Sequence, residues 1–360
     1  MRRAVAARSV LAALAVAAAG SSGAKELTDQ EVLAILATER PRDRAIEKGL
    51  EFLRGQQVRG EEGKGDDGAL SRGGPRTALT SLGVLAHLAA GRTFADPECG
   101  RFLRRCLAFV LRMQDESGYF GRHDDSRMYG HGITTLMLAE ALGMIQEGEL
   151  EEASRRALEK AVAVTVNAAR VQKSAENRGG WRYHPTDGGS DLSLSGWQLM
   201  SLHAAQQIGV TVPEEVIRGA VEYARRLSDL EGRVGYERPG DDHPALRGLG
   251  MLCMAIGRAE GDPLVDAIAR RIQKDPIEWR GPWFFYRVYY DAVGLSRARP
   301  ELWEQYSSRV EDVLVKNQKA DGSWPSPPGD NESGYGPVYV TSMAVLALAV
   351  DRHVLPAYQR

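Results

Sequence analysis

The most regular feature of the chain is an alternation between two kinds of apolar pattern. One kind is a stripe. Leu103, Cys106, Leu107, Val110 and Leu111 recur at i, i+3, i+4, i+7 and i+8, with arginines between them, which predicts a helix buried on one face only. The other kind is a continuous run, as at 133–142, where apolar residues leave no polar face. A helix of that sort must be covered on every side.

Stripe and run follow each other six times. The stripes carry Ile46, Leu50 and Leu53; Leu103 to Leu111; Leu158, Val162 and Val166; Val216, Ile217, Ala220, Val221 and Ala224; Ile268 and Ile272; and Val310, Val313 and Leu314. The runs cover 78–90, 133–142, 192–205, 246–256, 286–295 and 338–350. Between stripe and run lies a glycine turn with an aromatic, clearest at Gln114-x3-Gly118-x-Phe120 and Gln318-x3-Gly322-x-Trp324. Gly118 and Gly322 allow a positive-φ reversal at the helix end, and the aromatic can fold back over the helix just completed. The run starts recur at roughly 40–60 residues, a spacing near that of helical repeats. An open array would expose the apolar helices at its two ends. Closing six hairpins into a circle, striped helices outside and apolar helices inside, covers them all. The expectation is an all-α fold, an (α/α)6 toroid, in one domain over 25–360.

The extreme N-terminus stands apart. Arg2 and Arg3 precede an apolar run over 10–19 and then Ser22-Gly23-Ala24. That is the order of a signal peptide, charged start, short apolar segment and small-residue cleavage site, and the apolar run is too short to span a bilayer. A leader over 1–24, cleavage near Ala24 and a secreted or periplasmic location are expected.

Composition narrows the function classes little. The chain has 360 residues, 43% hydrophobic, with a formal charge of -2. There is no basic excess to hold nucleic acid and no stable membrane span is expected. Cys99 and Cys106, seven apart on one helix, are about 10 Å apart along its axis, too far for a disulfide. Cys106 and Cys253 sit among apolar neighbours and read as small core residues.

With the repeats in hand, Leu314-x3-Gln318-x3-Gly322-x-Trp324 and Val110-x3-Gln114-x3-Gly118-x-Phe120 resemble the Gln-Trp repeats of squalene-hopene cyclases. The toroid implied is shared with protein prenyltransferase β subunits. More narrowly, Tyr129-Gly130-His131-Gly132, Gly179-Gly180-Trp181-Arg182-Tyr183, Asp191-Leu192-Ser193-Leu194-Ser195-Gly196-Trp197-Gln198 and Val315-Lys316-Asn317-Gln318 resemble exported bacterial prenyltransferase/squalene-oxidase repeat proteins. That resemblance implies a fold and brings no activity with it.

The chemistry of those families is missing at the motif level. The cyclases' Asp-x-Asp-Asp-Thr acid cluster is absent; the adjacent Asp pairs are Asp66-Asp67, Asp124-Asp125 and Asp241-Asp242. The first two read as solvated loop carboxylates. Asp242 before Pro244 reads equally as a helix cap. The prenyltransferase zinc ligands are absent too: Val340 stands where the resemblance would put a histidine, and Cys253 lacks an Asp two residues earlier. No metal or other cofactor is expected, and whether the protein is an enzyme stays open.

What remains is a set of polar and aromatic residues at the inner-helix starts, which in a toroid share one mouth of the central space. His131 and Asp191 are the candidate acid or base. Asp191 reads as well as an N-cap, and His131 as a residue bonded to a loop carbonyl. Tyr129, Ser195, Tyr286, Tyr289 and Tyr339 are candidate ligand contacts. The ligand expected is an apolar, isoprenoid-like small molecule, the polar members giving orientation. Two alternatives stay beside it. One is a carbohydrate-active toroid, a lyase or glycosidase, with Asp191 and either Asp291 or Asp242 as the acids it needs. The other is a non-catalytic scaffold that holds a protein partner.

Overall fold

The computed structural model describes residues 40–145, 148–258, 261–352 and 354–355. The leader expected over 1–24 and the domain start at 25 lie outside the described residues. The chain divides into two compact units, 1–44 and 45–360. Of the first, only 40–44 are described.

Twelve α-helices are found among the described residues: α1 Pro41–Gly55, α2 Arg76–Ala89, α3 Gly100–Arg112, α4 Arg127–Leu142, α5 Gly148–Ala169, α6 Leu192–Gln207, α7 Glu214–Arg226, α8 Arg247–Ile256, α9 Pro263–Lys274, α10 Phe284–Ala298, α11 Pro300–Lys316 and α12 Gly336–Ala349. No strand occurs among them, only the isolated bridges Trp181–Asp191 and Ser228–Val234. The even-numbered helices pack in sequence, α2 on α4, α4 on α6, and so on to α12, and α12 packs back on α2. That last contact closes the ring. The unit 45–360 is therefore an (α/α)6 toroid, six hairpins with the apolar helices inside.

Burial follows the two patterns. On α3, the stripe from Phe102 to Val110 is buried while arginines face outward. On α2, every residue from Thr77 to Ala89 is buried. The segment Ser333–Arg352, which contains α12, is long and apolar enough to cross a membrane, but most of it is buried within the ring. An apolar helix packed between two inner neighbours and an outer helix satisfies the same composition test as a membrane span.

The glutamines that end outer helices join neighbouring hairpins. Gln114 Nε2 donates to Gly118 O in its own turn at 3.0 Å and to Ala157 O of α5 at 2.8 Å. Gln318 repeats this at the seam, donating to Gly322 O at 2.9 Å and to Ala45 O of α1 at 2.8 Å. Gln57 and Gln273 likewise reach Phe102 O and Leu302 O on the next outer helix, each at 2.9 Å. Trp324 folds back on α11, its indole N–H donating to Leu314 O at 2.7 Å. Gly322 has φ 87°. A Cβ there would lie 2.2 Å from Lys48 O, so both conformation and close approach require glycine.

Five of the inner helices begin within two residues of their apolar runs, and one begins nearly two turns early. α4 starts at Arg127 rather than near 133, because Met128 and the small residues Gly130 and Gly132 pack inside the ring although the run is not yet apolar. This shift places Tyr129 and His131 on the helix itself. All three cysteines are free and buried.

Candidate functional site

Inner-helix starts and the loops before them surround a cavity of about 790 Å³. Its size lies in the range of small-molecule sites. Three of the lining side chains come from the second turn of their helices, about 5 Å further along the axis than the helix starts. These are Leu82, Ile133 and Trp197, all apolar. Tyr129, Ser193, Tyr286 and Tyr339 form the wall above them. The rim carries Asp124, Asp125 and Arg127 on one side and Trp283 and Tyr335 on the other. Trp283 and Tyr335 are 39% and 42% exposed, which is high for large aromatics.

The wall hydroxyls are paired. Ser193 Oγ and Tyr286 OH are 2.5 Å apart. Tyr183 OH and Tyr236 OH, nearer the rim, are 3.2 Å apart. Tyr339 OH lies 2.8 Å from Oε1 of Glu332. Burial drives Tyr286 and Tyr339 far above the usual phenol range, so both present neutral hydroxyls.

Of the seven residues singled out from the sequence, Tyr129, Tyr286 and Tyr339 line the cavity. Asp191, Ser195, His131 and Tyr289 are placed behind it. Helix geometry explains the split: residues two apart are separated by about 200° around the axis. Tyr129 faces the cavity, so His131 faces the outer helix. Its Nδ1 accepts from Phe120 N at 3.3 Å, and its Nε2 lies 3.1 Å from both Ala161 O and Thr165 Oγ1 of α5. Burial holds His131 neutral, with its pKa lowered to about 4. Ser193 and Ser195 divide in the same way. Ser195 Oγ accepts from Trp181 N at 3.0 Å and donates to Asp191 O at 2.5 Å. Tyr289 stacks on Trp197 with ring centroids 6.3 Å apart, backing the cavity floor.

Asp191 caps α6, its Oδ1 accepting from Leu194 N at 2.8 Å. Its other oxygen pairs with Arg182 Nη1 at 2.9 Å. Burial raises its pKa to about 6, against the lowering influence of the Leu194 N–H and Arg182. Arg182 in turn lies over the rings of Tyr183 and Tyr236, 4.5 and 5.6 Å from their centroids. Asp191 thus holds the rim tyrosines through an arginine rather than touching the cavity. The carboxylates considered for a glycosidase do not converge. Asp291 is buried against Arg287 and Tyr306 of α11. Asp242 is held by Arg247 and Arg271.

Cavity residues absent from the sequence-based set include Ser193, Trp197, Tyr183, Tyr236 and His243, with Glu332 directly behind Tyr339. Ser193 and Trp197 lie four residues apart on one helix face, so choosing that face of α6 would have brought in both together. Tyr183, Tyr236 and Glu332 lie in loops, where no period marks a face. Among the described residues, no three His, Cys, Asp or Glu side chains converge as metal ligands do.

No protein-family model matches the sequence, and no curated protein matches it. Solved structures do match in fold. An inactive variant of an α-1,6-mannanase from Salegentibacter sp., with two adjacent aspartates replaced by asparagine and α-1,6-mannotriose bound, matches at TM-score 0.60 and 10% identity, over 86% of this chain and 99% of its own. A variant of a type II terpene cyclase from Scytonema, in complex with geranylgeranyl dihydroxybenzoate, matches at TM-score 0.52 and 15% identity, over 88% and 98%. An α-amylase from Clostridium perfringens matches at TM-score 0.54 and 11% identity, over 87% and 98%. At such identities the likeness is one of architecture. The chain shares the toroid of terpene cyclases and glycosidases alike.

Proposed function

We propose that this protein is exported and binds an apolar, isoprenoid-like ligand in its central cavity. The observation that carries the reading is the floor formed by Leu82, Ile133 and Trp197 beneath a wall of neutral hydroxyls. Such a space rewards apolar burial and leaves few polar groups to orient the ligand. At about 0.3 kcal/mol per heavy atom, a ligand of 20–25 atoms gains roughly 6–8 kcal/mol, a micromolar-range affinity. The terpene cyclase, which holds a geranylgeranyl compound in a related toroid, supports the same reading. Lipid extraction of natively purified protein followed by mass spectrometry tests it. An isoprenoid-like compound is expected with wild type and is expected to be lost from Ile133→Trp, whose indole would fill the floor. No bound lipid, or equal recovery from both, counts against it.

A second reading is favoured by the rim. Asp124 and Asp125 are adjacent acids at the cavity edge, and the same rim carries the exposed Trp283 and Tyr335 rings, suited to stacking on sugars. The mannanase whose adjacent aspartates are replaced in its inactive form gives this reading a parallel. In this chain the two carboxylates are engaged. Asp124 accepts from Thr77 N at 2.6 Å and Ser126 N at 3.1 Å, and Asp125 pairs with Arg127 at 3.0 Å. Calorimetric titration with mannotriose, wild type against Asp124→Asn, separates the readings: saccharide binding abolished by the substitution would favour the rim.

A further inference from the structure

We propose that Glu332 and Tyr339 together present an O–H donor to the central cavity, so that the ligand is an oxygen-bearing isoprenoid-like alcohol or carbonyl compound rather than a hydrocarbon. The proposal rests on the cavity reading and adds a polar contact to it.

Glu332 lies in the loop before α12 and is completely buried. Its Oε2 accepts from Phe285 N at 2.7 Å and its Oε1 from Tyr286 N at 3.1 Å, capping the start of α10. The same Oε1 is 2.8 Å from Tyr339 OH, and Tyr339 is a wall residue. No cation lies within ion-pair distance of Glu332 among the described residues. The titratable groups that face it are Asp330 and Tyr335 from its own loop and Tyr339 from α12, while α10 contributes the backbone N–H groups of Phe285 and Tyr286. None of them carries a positive charge. Asp330 has both carboxylate oxygens buried without a hydrogen-bond partner, which adds repulsion against a second negative charge nearby.

Burial therefore pushes Glu332 up to about 8, with Asp330 reinforcing the shift, against the lowering influence of Tyr339 and the two N–H groups. At neutral pH the carboxyl holds its proton. Two of its three neighbours are N–H donors and cannot accept that proton. Tyr339 oxygen is the acceptor left. When Glu332 donates to it, the Tyr339 hydroxyl hydrogen is turned away from Glu332 and is available to a ligand oxygen in the cavity. When Glu332 is ionised, Tyr339 must donate to the carboxylate instead, and the cavity loses its donor. The protonation of one buried acid thus sets whether the wall discriminates oxygen from carbon.

The test compares farnesol with farnesene on the purified full chain, by quenching of tryptophan fluorescence. Wild type at neutral pH is expected to prefer farnesol by about 3- to 10-fold, the worth of one hydrogen bond. The preference should fade as pH rises through about 8. Tyr339→Phe, which keeps the ring, should abolish it at every pH. Glu332→Gln, which does not titrate, should make the preference independent of pH. A preference that survives Tyr339→Phe, or one unchanged by pH in wild type, overturns this proposal while leaving the cavity reading intact. Failure of both probes to bind overturns the cavity reading and this proposal with it.

Discussion

Removing the Gln318 side chain should weaken the ring at its seam. In Gln318→Ala, two hydrogen bonds go, to Gly322 O and to Ala45 O. Each is worth about 0.5–1.5 kcal/mol, and the two carbonyls left behind are only partly buried, so some of the loss is returned by water. A net cost of about 2 kcal/mol follows. At about 2.1 cal/mol/K per residue of unfolding entropy, a domain of this size melts roughly 3 °C lower for that cost. Gln114→Ala removes the same pair of bonds within the ring, between α3 and α5, and should cost the same in equilibrium stability. The seam should differ in local opening. Ala45 and Gln318 are 273 positions apart, so no short stretch of chain holds the two hairpins together when the bond is lost. Urea denaturation gives the stability change, and hydrogen exchange at α1 and α11 reports the opening. If Gln318→Ala changes stability by less than about 0.3 kcal/mol and leaves exchange in α1 at the wild-type rate, the seam argument is wrong.

Gly322→Ala should be the more damaging change in the same turn, because its Cβ would meet Lys48 O at 2.2 Å and its φ is 87°; loss of soluble expression or a cost above about 2 kcal/mol is expected, and a wild-type melting temperature would refute it. For His131, the folded-state pKa of about 4 lies below the ordinary 6.5, so the unfolded chain binds the extra proton and stability falls as pH drops from about 6.5 towards 4. Urea titrations of wild type and His131→Gln should show wild type losing about 1.4 kcal/mol per pH unit relative to the variant in that window; parallel curves would contradict the buried neutral histidine. Burial pushes the thiols of Cys106 and Cys253 up to about 12, so Ellman's reagent should label them only on unfolding. Rapid labelling of either in native buffer would show that its helix opens.

The sequence alone determined the six hairpins and their closure. A helix apolar all round, such as 338–350, has no stable place except inside a complete shell, and that is legible from residue order because period is a local property. The glutamine and glycine turns at 114–118 and 318–322 were legible for the same reason. The face each inner helix turns to the cavity is not local. His131 is the more suggestive of the two in the sequence, and only the packing of α4 against α5 and its neighbours decides that Tyr129 lines the space while the histidine is tied to Ala161 and Thr165. Glu332 is further from reach. It sits in a loop whose path has no period, and its buried carboxyl gains meaning only when α10 and α12 bring Tyr286 and Tyr339 against it. Rotation about a helix axis and the course of a loop are set by contacts between segments distant in sequence, and those exist only once the ring has closed.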